Sequence, residues 1–165
     1  MNLVVRPART TDVPLIRRLI DLYADKGILL SKPTVTLYED VQEFVIAELD
    51  GEEVGCGALH VLWSDLAEVR SVAVDPLCRH KGVGHQILEA LLDRARAVGV
   101  ERVFCLTFEV SFFAKHGFKR FTATAVEPGV YEELLRSYDE GVAEFLGLER
   151  VKPNILGNTR MLLDL

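Results

Sequence analysis

The chain is predicted to form one α/β (α+β) domain over residues 1–165, a mixed, mostly antiparallel sheet flanked by helices. Three observations predict it. Short apolar runs joined by turn signals occupy residues 44–74, helical spacing sets in at residues 13 and 83, and strand, helix and strand follow one another over residues 103–122. Hairpin-joined strands followed by a helical crossover require a mixed sheet with helices packed on it.

Each element has a local reason. Leu3–Arg6 reads as a short strand, and Pro7–Thr11 as the loop into a helix capped by Thr10 or Thr11, with Pro14 in its first turn, where a missing N–H costs little. Val13, Ile16, Leu19, Ile20 and Tyr23 recur at helical spacing, and Gly27 is the expected stop. After the loop 28–33 and a shorter helical stretch over 35–41, Phe44–Leu49 reads as a strand turned by Asp50-Gly51 into Val54–Leu62. The turn Trp63-Ser64-Asp65 leads to a third strand, Glu68–Val74, completing an antiparallel meander. Val83, Ile87, Leu88, Leu91, Leu92 and Ala95 then share one helical face up to Gly99. Val103–Phe108 is a buried strand by composition, Ser111–His116 a short helix closed by Gly117, and Phe118–Thr122 a further strand. The tail carries helical stretches at 131–137 and 142–146 and a last strand at Thr159–Leu163.

Composition narrows the function. At 165 residues, 49% hydrophobic and 27% charged, the chain can bury a core without disulfides or a structural metal. A formal charge of −6 provides no basic footprint for nucleic acid or an anionic membrane, so neither is an expected partner. No apolar run approaches the ~20 residues that span a bilayer and no signal pattern opens the chain, so the expected location is cytoplasmic. Cys56, Cys78 and Cys105 are odd in number and widely spaced, which argues against a disulfide framework, and no metal site is expected.

The stretch with chemical content is Glu68–Gly84: a strand, a Pro-bearing turn, the basic residues Arg79, His80 and Lys81, and a helix start at Gly82-Val83-Gly84. Unpaired N–H groups at a helix start, with glycines that admit close approach, make an anion cradle. Taken alone, R-x-x-G-x-G is more often an ordinary strand-to-helix loop with solvated charges.

In context the RHKGVG of residues 79–84 resembles the acetyl-CoA pyrophosphate loop of the GNAT N-acetyltransferases, and Phe113–Phe118 resembles that superfamily's aromatic-x-x-x-Gly-Phe element. Gly27–Lys32, Cys56–Leu59, Ala67–Val74 and Val151–Leu163 are further similar to the acetyltransferase domain of N-acetylglutamate synthases, above all the short stand-alone bacterial form. The resemblance implies a GNAT-like sheet, acetyl-CoA as co-substrate without a metal, and transfer of acetyl to the α-amino group of L-glutamate, at the entry to arginine biosynthesis. Alternatives stay open: glutamine, another amino acid or a protein N-terminus as acceptor, a non-catalytic acyl-CoA sensor, or an interaction module. Dimers are common in this fold, so a homodimer is also an expectation.

Roles follow from the resemblance. Val72, Ala73 and Val74 are expected to pair with the pantetheine arm and stabilise the oxyanion through backbone N–H groups, while Arg79, His80, Lys81, Gly82, Val83 and Gly84 hold the pyrophosphate. Strand alternation puts Glu68, Arg70, Val72 and Val74 on one face, making Glu68 the candidate general base; the competing readings are a surface Glu near a turn or a Glu68–Arg70 same-face pair. Many relatives donate a proton to the thiolate from a Tyr where this chain has Phe113, so Thr107 is the candidate acid, or else a β-branched strand residue. Lys32, Arg70, Asn158, Thr159 and Arg160 are the candidate substrate contacts, with Lys152 a weaker one; related synthases often carry Arg at the position of Gly157, a departure in the carboxylate pocket. Cys56 and Cys105 read as core thiols, Cys78 as a thiol beside the basic loop, and His60, His85 and His116 as isolated structural imidazoles, His60 nearest the pocket.

Overall fold

The structure, a computed structural model, describes residues 1–121, 126–146 and 158–165. Strands β1 (Leu3–Pro7), β2 (Phe44–Leu49), β3 (Glu52–Trp63), β4 (Leu66–Val74), β5 (Arg102–Thr107), β6 (Lys119–Arg120) and β7 (Thr159–Asp164) form one sheet in the order β1-β2-β3-β4-β5-β7-β6. Every pairing is antiparallel except β4 with β5. That exception has a consequence. The parallel ladder covers only Leu66↔Arg102 to Glu68↔Phe104, so beyond Glu68 the two strands part and leave a cleft inside the sheet.

Helices α1 (Val13–Ala24), α2 (Thr34–Glu39), α5 (Pro128–Leu134) and α6 (Glu140–Leu146) cover one face; α3 (Val83–Val98) and α4 (Val110–Ala114) cover the other. The apolar stripe of α3, Val83, Ile87, Leu88, Leu91, Leu92 and Ala95, is fully buried against the sheet, as its spacing requires. Close approach of α3 depends on β3 glycines: a Cβ on Gly57 would lie 2.6 Å from Ile87 and 3.1 Å from Leu91. The Asp50-Gly51 hairpin turn has both residues at positive φ (53° and 86°), as a primed turn demands. Gly82 and Gly99 bound α3 in the left-handed region.

Two expectations need correction. The strand expected over Phe118–Thr122 is only Lys119–Arg120 among the described residues, and it pairs with β7, which inserts between β5 and β6. More consequentially, Glu68, Arg70, Val72 and Val74 do not share a face. Ser71 adopts φ 57° and, with Val72, faces the single residue Gly57 on β3, a bulge that inserts one residue and reverses the alternation. Glu68 and Arg70 therefore point to the α1/α6 side, whereas Val72 and Val74 pack on the α3 side. Among the described residues, no helix is long and apolar enough to cross a membrane.

Candidate active site

The parted β4 and β5 open into a cavity of about 320 Å³ lined by the 28–33 segment, by Glu68 to Ser71, by Leu106 and by the start of α6. Its centre is an ionic network on a glycine floor. Glu68, 4% exposed, accepts from Arg70 Nε (2.8 Å) and lies 2.6 Å from Nη2; Arg70 also holds Asp139 in a two-pronged pair, Nη1 to Oδ2 and Nη2 to Oδ1, both 2.7 Å. Such fork geometry fixes the guanidinium plane as well as its charge. Burial works against ionising Asp139, yet the Arg70 hydrogen bond and charge hold its carboxyl well below the usual carboxylate range. Asp139 Oδ1 also accepts the Val142 N–H at 3.0 Å, so the residue that clamps Arg70 is the N-cap of α6. A Cβ on Gly141 would sit 2.5 Å from Glu68 Oε1 and 2.8 Å from Arg70 Nη2, so α6 reaches the network this closely only with glycine there.

Lys32 is half-buried at the cavity wall and makes no ion pair among the described residues. Burial lowers its pKa, Arg70 lowers it further, and the attraction of Asp139 and Glu68 opposes both. Asn158 Nδ2 donates to Glu144 Oε1 (2.6 Å), and Arg160 Nη2 to the Glu144 carbonyl (2.8 Å), tying β7 to α6. Burial raises the pKa of the Glu144 carboxyl.

The expected residues thus divide. Glu68, Arg70, Lys32 and Asn158 line the cavity, and Arg160 braces it from behind. Thr107 and Thr159 face each other across β5 and β7 and do not line it; the Thr107 hydroxyl accepts the Glu109 N–H (2.8 Å). Lys152 and Gly157 fall outside the described residues. Asp139, Gly141 and Glu144 were not anticipated. Asp139 carries a readable N-cap signal, but its pairing with Arg70, 69 residues away, carries none. His60, expected nearest the pocket, bonds Glu43 through Nδ1 (2.9 Å) with Nε2 3.8 Å from Asp139. Burial pushes the Cys56 thiol up to about 12, and that of Cys105 also upward, so neither is a thiolate nucleophile at neutral pH.

The expected anion cradle, residues 79–84, lies at the start of α3, next to the α3-facing side of β4. Arg79, His80, Lys81 and Gly82 are exposed, His80 and Gly82 have φ of 63° and 79°, and no side chain caps the helix. Its first N–H groups are therefore left without a side-chain acceptor, and the Phe112 ring lies 3.6 Å from where a Cβ on Gly84 would be. On β4 the Val74 carbonyl is taken by the Tyr23 hydroxyl (2.5 Å). Gly82→Ala has space around it but a disfavoured backbone, so it should cost about 1 kcal/mol of stability. Calorimetry should also show roughly tenfold weaker acetyl-CoA binding; unchanged binding would remove Gly82 from the cradle.

The family described as "Acetyltransferase (GNAT) family" matches residues 15–118. The chain belongs to this family. A GNAT relative named amino-acid acetyltransferase, from Mycobacterium tuberculosis, is 61% identical over 98% of this chain and 94% of its own length. A solved M. tuberculosis structure, in complex with CoA and a compound designated NLQ, superposes with TM-score 0.94 at 61% identity, over 98% of this chain and 99% of that one. N-acetylglutamate synthase from Neisseria gonorrhoeae, complexed with coenzyme A and N-acetyl-glutamate, superposes with TM-score 0.79 at 26% identity, over all of this chain and 35% of that one. The cleft between β4 and β5, the bulge at Ser71 and the uncapped start of α3 are thus features of a GNAT acetyltransferase.

Proposed function

We propose that the acceptor is L-glutamate and the product N-acetylglutamate, formed by direct attack of the α-amine on acetyl-CoA in a ternary complex. The coarser activity is that of the family and of the 61% identical relative: the chain is an acetyl-CoA-dependent amino-acid N-acetyltransferase. Lys32 carries the finer reading, as a partly desolvated ammonium at the cavity wall with no ion pair among the described residues, placed to receive a carboxylate. The N-acetylglutamate complex of the gonococcal synthase supports it.

In this reading Val72, Ala73 and Val74 meet the pantetheine arm on the α3-facing side of the cleft, and Arg79 to Gly84 hold the pyrophosphate. Glu68, at the fork of the strands, takes a proton from the acceptor ammonium, directly or through water. Arg70 orients Glu68 and is itself held by Asp139, so it is a positioning residue rather than a free carboxylate clamp. Phe113 is a buried ring and Thr107 lies off the cavity, while an ordinary thiol pKa near 8.5 lets the CoA thiolate leave with water as its proton source.

One observation favours a second reading. Among the described residues the cavity is lined by two cations, Lys32 and Arg70, against four carboxylates, Glu68, Asp139, Glu140 and Glu144. That excess of negative charge disfavours a dicarboxylate and favours glutamine, whose side-chain amide is neutral. Separate incubation with acetyl-CoA and each amino acid, with products identified by mass, decides between them: N-acetylglutamate as main product sustains the first reading, N-acetylglutamine the second, and no acetylated amino acid defeats both. Lys32→Gln should raise the glutamate KM roughly 10- to 100-fold with acetyl-CoA affinity unchanged, the value of one charged hydrogen bond. With the lysine pKa lowered, its cation is lost as pH rises at a lower pH than for an ordinary lysine. The wild-type glutamate KM should therefore climb with pH earlier than an ordinary lysine would set, and the climb should vanish in Lys32→Gln.

A further inference from the structure

We propose that His85, Glu89 and His116 form a binding site for one divalent transition-metal ion of the zinc class, on the outer face of α3 and apart from the transfer cavity. His85 and Glu89 stand four residues apart on α3 and so share a face, and His116 is brought to them by the turn after α4 that Gly117 (φ 91°) closes. One donor atom from each lies within 4.8 Å of the others. His85 Nδ1 is 2.7 Å from His116 Nε2, and Glu89 Oε1 is 3.9 Å from the same Nε2.

The protonation pattern is decided by a fourth group. His116 Nδ1 lies 2.9 Å from the Phe112 carbonyl, which can only accept, so Nδ1 carries the proton and Nε2 presents its lone pair toward the cluster. A metal-bound imidazole is typically oriented by this kind of second hydrogen bond. Two lone pairs cannot face each other at 2.7 Å, so His85 Nδ1 supplies a bridging proton when no ion is bound. On binding, His85 moves that proton to Nε2, no proton is lost overall, and Nδ1 turns its lone pair to the ion. Ligand bonds of ~2.0–2.1 Å put two tetrahedral donors about 3.3 Å apart, so the exposed His85 ring must withdraw by roughly 0.6 Å. Two imidazoles and one carboxylate suit zinc, nickel or cobalt, and are a poor set for magnesium or calcium, which take oxygen ligands. The fourth position opens to solvent on the side of exposed His85.

The site has a structural neighbour of interest. The Phe112 ring packs on the His116 ring (centroids 5.0 Å apart) and backs Gly84, so a bound ion fastens α4 to the first turn of α3 behind the pyrophosphate loop. None of the three ligands lines the Glu68 cavity, and the ion has no part in the transfer.

Calorimetric titration of the full chain with zinc chloride tests the proposal. One zinc ion is expected per wild-type chain and per Cys78→Ser chain, with binding at least 100-fold weaker in the His85→Ala/His116→Ala double variant, about tenfold weaker in Glu89→Gln, and no heat with magnesium chloride. Zinc should raise the melting temperature of the wild type and leave the double variant unmoved. If the double variant does not fold, His85→Ala alone, at an exposed position, supplies the same comparison. Absence of zinc binding to the wild type, binding retained in the histidine variants, or binding lost in Cys78→Ser would each overturn the site.

Discussion

Glu68→Gln is expected to lower kcat by a hundredfold or more while acetyl-CoA still binds within about twofold of wild type. General-base catalysis by a positioned side chain is worth about 10²–10⁴ in rate, and an amide of the same shape cannot accept the proton. The substitution leaves the site built, since the Gln oxygen can still accept from Arg70 Nε and Arg70 keeps its two bonds to Asp139. Initial rates over acceptor concentration, with calorimetry for acetyl-CoA, separate the effects: a base that acts only in the chemical step shows in kcat, whereas a merely structural Glu68 shows in stability and in both affinities. A variant turning over within threefold of wild type would remove Glu68 from the mechanism.

Arg70→Leu should be the most destabilising single change at the site. It leaves Glu68 and Asp139 without the cation that pairs with both, Glu68 being 4% exposed, and stranding a buried partner costs about 3–5 kcal/mol. For a domain of this size that corresponds to roughly a 10 °C fall in melting temperature. The pH dependence has a definite sign. Asp139 has its folded pKa depressed, so its contribution is fully present above the unfolded value near 3.9 and is lost as pH falls through the lower folded value. Acid unfolding of the wild type should steepen in that window, and Asp139→Asn should flatten it. An Arg70→Leu melting temperature within 2 °C of wild type would show the network to be dispensable.

Most elements were legible because their signals are local. The α3 stripe, the Asp50-Gly51 turn and the Gly82 and Gly99 boundaries each depend on residues within a few positions of one another, so periodicity and turn chemistry suffice. The face assignment of β4 failed for a matching reason: alternation holds only on a regular strand, and a serine in the left-handed region carries no local mark. The isolated imidazoles His85 and His116 met for the same kind of reason as Arg70 and Asp139, through elements that converge in space, not in sequence.

By itself, the sequence determined the order of the elements, the family resemblance and the candidacy of residues 79–84, Glu68 and Lys32, since each rests on side-chain type and short spacing. Only the tertiary structure decided that β4 and β5 part beyond Glu68, that the Ser71 bulge turns Glu68 away from the face of Val72 and Val74, and that Asp139 occupies the guanidinium expected to hold the substrate. Those outcomes depend on which distant surfaces pack together, and the energy of that packing is shared among residues that no local pattern connects.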